Sequence, residues 1–158
     1  MCLTVTWRKS KVARKPIICY KLMFPYGNGG EGPCVIHMDI HPNMKPVYFN
    51  STVCHMKYEL GGEYTEEKFM EALPSGWSGG YDIMYGFHSY SRLKDAECAR
   101  HYRAYVVIVK CEIPAGARYW KGNRKHWLRG DDKYFEYCSD KIKILEWRHT
   151  YRDKWYKN

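Results

Sequence analysis

Tyr105-Val106-Val107-Ile108-Val109-Lys110-Cys111-Glu112-Ile113 has a density of β-branched residues that few helices tolerate, and Pro114 with Gly116 gives it a turn. It reads as a central strand. Upstream, Ser91 to Arg103 carries Leu93, Ala96 and Ala99 or Arg100 along one side at helical spacing, and Tyr81 to His88 alternates like an aromatic strand. Downstream, Ala117 to Trp120 can pair back as a hairpin, and the polar, glycine-punctuated stretch from Lys121 to Lys133 reads as a loop. Lys141 to Trp147 alternates with period two, placing Ile142 and Ile144 on one face with Lys141, Lys143 and Leu145 opposite, and reads as a final strand.

The N-terminal half is less regular. Ile17 to Phe24, closed by Pro25 and Gly27, suits a first core strand, and Val35 to Ile40 and Val47 to Val53 are further candidates. Thr65 to Leu73 starts with Glu66 and Glu67 and puts Phe69, Met70 and Leu73 on one side before Pro74, the pattern of a short helix. Residues 1 to 16 read as a basic arm or edge strand. Trp147, Tyr151 and Trp155 recur four apart, so helical winding of the tail would align the rings. The expectation is one α+β domain over residues 1 to 158. It comprises a mixed, mainly antiparallel sheet of about five or six strands, two short helices and a C-terminal aromatic, basic helix or extension.

Composition narrows the classes. At 158 residues, with 45% hydrophobic and 27% charged residues, the chain can bury a core and is neither collagenous nor low-complexity. The seven cysteines are spread singly without a CxxC pair, which points to a reducing compartment rather than a disulfide framework. The N-terminus lacks the charged and apolar pattern of a secretory signal, and no window approaches the roughly 20 apolar residues of a membrane-spanning helix. The expected location is the cytoplasm. The net charge of +9 is uneven: Met1 to Gly79 holds 9 basic and 7 acidic residues, and Gly80 to Asn158 holds 17 and 10. The C-terminal half therefore carries a field that attracts nucleic acid or an acidic protein.

Within that half, Lys121, Arg124, Lys125 and Arg129 would meet phosphates while Trp127 stacks on a base, the combination used for single-stranded nucleic acid. Arg148, Arg152 and Trp155 offer the same chemistry in the tail. Cys34-x2-His37-x3-His41, followed by Cys54, contains zinc-ligand types. An extended Val35 to Ile40 would turn Cys34 and His37 to opposite sides, which favours a buried thiol and surface histidines and leaves zinc as the lesser alternative. His88 is a candidate acid or base, or else a histidine whose hydrogen bonds hold a turn.

Gly86-Phe87-His88, then Val109-Lys110-Cys111-Glu112-Ile113-Pro114-Ala115-Gly116, then Tyr137-Cys138-Ser139-Asp140-Lys141-Ile142-Lys143-Ile144 resemble small phage and prophage domains of unknown function. These share a GFH, a strand-Pro-x-Gly and an S-x-K-I-x-I motif, and Cys19-Tyr20-Lys21 resembles their first strand. The resemblance spans roughly 40 residues of short motifs in a fixed order. It implies a mobile-element origin and action inside a bacterial host cell, with no activity assigned. The preferred expectation is a non-enzymatic accessory protein, without a cofactor, that binds nucleic acid or an acidic protein.

The same order also resembles the ADP-ribosyltransferase layout, in which a first strand bears an Arg or His, a second a Ser/Thr motif or Tyr, and a late strand a Glu. By position Tyr20-Lys21 takes the first element and His88-Ser89-Tyr90 the second, while the late strand brings Ser139, Asp140 and Lys141 to the place of the Glu. Oxocarbenium chemistry on NAD needs a carboxylate, which Glu136 or Asp140 would supply. The alternative expectation is thus a diverged NAD-using or NAD-binding domain acting through His88, Tyr90 and Glu136.

Overall fold

The computed structural model describes residues 3–5, 9–26, 48–51, 56–69, 73–74, 81–83, 85–100, 106–125, 133–148 and 155–156. In chain order the strands are β1 (Leu3–Val5), β2 (Lys11–Val12), β3 (Ile17–Tyr26), β4 (Tyr48–Ser51), β5 (Lys57–Tyr58), β6 (Glu63–Thr65), β7 (Leu73–Pro74), β8 (Tyr81–Ile83) and β9 (Phe87–Tyr90). Helix α1 (Leu93–Arg100) follows, then β10 (Val107–Ile113), β11 (Arg118–Lys125), β12 (Lys133–Ser139), β13 (Lys141–Arg148) and β14 (Trp155–Tyr156). All paired strands are antiparallel, in the order β14-β13-β10-β3-β9-β12-β11-β1-β8-β7. Four shorter contacts branch from this path: β2 on β11, β4 on β3, β5 on β4 and β6 on β13.

The fold is therefore mainly β, and the expected α+β class with two helices is corrected. Among the described residues α1 is the one α-helix. The described part of the expected helix, Thr65 to Phe69, does not wind. The Glu66 amide donates to the carbonyl of Asp140 (2.7 Å), the Glu66 carboxylate accepts from the Lys68 amide (3.0 Å), and Phe69 turns inward onto Trp120. The acids that would begin a helix instead close a turn. The described part of the tail is also not helical: Trp155 and Tyr156 pair with Arg148 and Trp147 as β14. β11 does not fold back on β10 but crosses the sheet to pair with β12, β1 and β2, and it extends to Lys125 where a loop was expected. In the N-terminal stretch, β1 lies between β11 and β8 with Leu3 and Val5 buried, and β2 pairs with β11. The candidate strand over Val35 to Ile40 lies outside the described residues.

Cross-strand partners in an antiparallel ladder project to the same face, so the register sorts the side chains. The first face holds the main core, with Cys19, Met23, Phe49, Phe87, Val107, Val109, Cys111, Ile113, Ile144 and Trp147 among its buried residues. β4 pairs with β3, β5 with β4 and β6 with β13, and Phe49, Tyr58 and Tyr64 from these strands join this core, where Tyr58 packs edge-on against Tyr64 and Phe87. The second face carries two smaller clusters. One joins Leu3, Val5, Phe69, Ile83 and Trp120; the other joins Leu22 and Ile108 to Ala96 and Ala99 of α1. A bulge between Lys110 and Cys111 opposite β13 lets Ile144 and Trp147, three residues apart, share the first face.

Candidate functional site

Between the two clusters, the second face carries a polar row. Gly122 of β11 pairs with Glu136 of β12, Glu136 with Tyr90 of β9, and Tyr90 with Tyr20 of β3. The row continues through Lys110 of β10 to Glu146 of β13. Directly opposed side chains in such a ladder have Cβ atoms about 5 Å apart, so Tyr90 stands directly between Glu136 on one side and Tyr20 on the other. His88 stands two residues from Tyr90 on the same face. The trio His88, Tyr90 and Glu136 thus shares one face of two adjacent strands, although Glu136 lies on a strand that follows α1, β10 and β11 in the chain.

Each member is held differently. Glu136 is buried (3% exposed), and the opposing Gly122 offers no side chain to cover it on that side. His88 and Tyr90 are half-buried. The His88 Nε2 lies 3.6 Å from the Cys138 Sγ, and the same sulfur lies 3.5 Å from the carbonyl of Tyr85. Burial pushes the Cys138 thiol well above its usual range, against the opposing effect of Lys21, so the sulfur faces His88 as a neutral thiol. A buried carboxylate beside a phenol and an imidazole can orient a nucleophile, stabilise developing positive charge and exchange a proton near neutral pH.

Of the expected docking residues, Lys121, Arg148 and Trp155 have described side chains, and these three do not share one face. Lys121 is exposed on the first face, with its ammonium 5.5 Å from the Phe135 ring centre and 5.8 Å from that of Tyr137. Arg148 projects from the second face, since it pairs with Ile108, and is buried in an ion pair with Glu97 of α1. Trp155 packs against Tyr20 (6.2 Å), the Arg148 guanidinium (5.4 Å) and the Lys110 ammonium (5.9 Å), and Lys110 itself meets Glu146 at 3.5 Å. Arg124 and Lys125 belong to β11 by backbone, opposite Tyr134 and Lys133. Trp127, Arg129 and Arg152 lie outside the described residues, as do all four candidate zinc ligands, Cys34, His37, His41 and Cys54. Among the described residues no cluster of three or more His, Cys, Asp or Glu is placed to hold a metal, and no helix is long and apolar enough to cross a membrane.

Three members of the row, Gly122, Lys110 and Glu146, were not read from sequence as parts of a site. None of these residue types announces itself, and only the register sets Gly122 beside Glu136, Lys110 beside Tyr20 and Glu146 beside Lys110. In comparison with known proteins, no family model, no curated protein and no solved structure matches this chain.

Proposed function

We propose that the chain is a diverged ADP-ribosyltransferase-like domain that binds and uses NAD through His88, Tyr90 and Glu136. The observation that carries this reading is the row Tyr20, Tyr90 and Glu136, contributed in order by the first long strand, the strand before α1 and a late strand. That order supports the resemblance's layout of three strands, with Glu136 rather than Asp140 as the carboxylate. Asp140 is engaged elsewhere: its carboxylate accepts from the Arg118 amide (2.9 Å) and from the Arg118 Nε (3.0 Å). In this reading Glu136 stabilises the cationic ribosyl carbon as its bond to nicotinamide breaks and neutral nicotinamide departs, Tyr90 supplies a ring for the planar leaving group, and water adds to that carbon as His88 takes the proton it loses. Tyr20 stands where the family bears Arg or His, so the contact made by that residue passes to a phenol.

The test is nicotinamide release from NAD alongside thermal shift. NAD at a hundredfold excess over its Kd is expected to stabilise the fold by about 2.7 kcal/mol, a rise of several degrees in Tm for a domain of this size. Glu136→Gln is expected to retain binding and to slow nicotinamide release by about 10²- to 10³-fold. Absence of any shift at millimolar NAD would overturn the reading.

The anionic-partner reading keeps one specific support, the exposed Lys121 seated over Phe135 and Tyr137 at the start of the basic segment. If it holds, single-stranded oligonucleotide affinity falls steeply with salt, and reversing Arg124 and Lys125 to Glu flattens that slope by about two phosphate contacts. Affinity indifferent to both salt and these reversals would exclude it.

A further inference from the structure

The sheet is not equally continuous along its path. β3 pairs with β10 at seven consecutive positions, from Ile17↔Ile113 to Met23↔Val107, whereas among the described residues it meets β9 at Tyr20↔Tyr90 alone. The sheet therefore consists of two halves, β14-β13-β10-β3 and β9-β12-β11-β1-β8-β7, joined at a narrow seam. The candidate row crosses that seam. Tyr20 belongs to one half; His88, Tyr90 and Glu136 belong to the other.

Where backbone pairing gives out, a side chain takes over. Lys21, next to Tyr20 and projecting from the opposite face, extends its ammonium to the carbonyl of His88 at 2.5 Å. It is the one lysine buried among the described residues, at 7% exposure. Burying an ammonium in an apolar core is costly and is compensated only by strong, well-directed partners. The surroundings fit a cation held in place. The Tyr58 ring centre lies 5.9 Å from the ammonium, and the neighbouring Cys19 thiol feels its charge. Burial pushes that thiol up, but the Cys111 thiol directly opposite it and the Lys21 charge together bring it below its ordinary value.

We infer that Lys21 is a positioning residue of the site: its ammonium pins the His88 carbonyl across the seam and so fixes the β9 backbone that aims His88 and Tyr90 onto the second face. The inference rests on the reading of that face as the site, and it adds a residue that would never touch the ligand. A methionine at this position would fill similar space and leave the His88 carbonyl without its charged donor. A charge-assisted hydrogen bond of this kind separates aligned from misaligned states by at least about tenfold.

The experiment compares Lys21→Met with the unmodified chain by amide hydrogen exchange and by the NMR signals of the His88 ring, with NAD titrations run in parallel. Expected are amides of His88 to Tyr90 exchanging about tenfold faster or more, altered His88 ring signals, unchanged protection in β10 and β13, and NAD affinity reduced by about tenfold. Lys21→Arg, which restores a charged donor, should recover part of each. Should Lys21→Met fail to fold, Lys21→Gln takes its place in the same measurements. Unchanged exchange and unchanged His88 signals would overturn the inference, even if the unmodified chain binds NAD and Glu136→Gln slows its breakdown. If the unmodified chain ignores NAD while Lys21→Met still loosens β9, the NAD reading falls and the pinning of His88 stands.

Discussion

Gly86→Ala is expected to destabilise the fold by about 3 to 5 kcal/mol, the sum of two separate penalties. The first is conformational. Gly86 has φ +133°, a backbone region that residues with a side chain rarely enter. The second is steric, because a Cβ built there would lie 2.5 Å from the Cys138 Sγ, 3.0 Å from the Phe69 Cε2 and 3.0 Å from the Ser139 carbonyl. None of these neighbours can withdraw easily. Phe69 is packed on Trp120 at 4.7 Å, Ser139 belongs to β12, and the Cys138 sulfur is already hemmed in by Tyr85 and His88. Urea denaturation gives the measurement, and a loss under about 1 kcal/mol would refute the argument. Whatever folded fraction remains should show a displaced His88, two residues away. The glycine of the Gly-Phe-His motif is thus explained by backbone and contact.

Trp147→Ala should cost a similar amount, about 3 to 5 kcal/mol, for a different reason. Trp147 is buried at 6% exposure in the main core, tilted against Phe49 at 6.4 Å and stacked on Tyr156 at 4.7 Å with an interplanar angle of 20°. Its loss leaves a cavity that rigid strands cannot close, and it frees the partner that holds β14 to β13. Trp155→Ala is the control. That ring is half-buried on the other face, so its truncation should cost no more than about 1 to 2 kcal/mol. Equal losses for the two variants, in denaturant titrations of each, would show that the core is not where Trp147 places it.

The two tryptophans also show what sequence could and could not reveal. Their spacing of eight fits a helical stripe, yet they sit on opposite faces of the sheet because one lies in β13 and the other in a strand that pairs back on it. Strand pairing is a non-local decision, and residue spacing within the tail carries no information about it. β10, by contrast, was legible because its β-branched run is buried on both faces, and α1 because its alanines repeat at helical period beneath an apolar cluster. Thr65 to Leu73 misled because its Glu66 amide answers to Asp140, a partner far away in the chain. The same holds for the site. His88, Tyr90 and Glu136 could be named as residue types, but their adjacency follows from β12 lying against β9. Arg148 could be counted as a cation, but not seen to be consumed by Glu97 on α1.

The path of the chain through the sheet has a consequence for synthesis. β3 emerges from the ribosome early, yet its long partner β10 arrives some ninety residues later, and β1 waits still longer for β11. Such high contact order predicts slow, late closure. Until the C-terminal strands are made, β3 and β1 have partners on one side only and the nascent chain carries apolar strand edges that await β10 and β11, and it is in that interval that chaperones would find it.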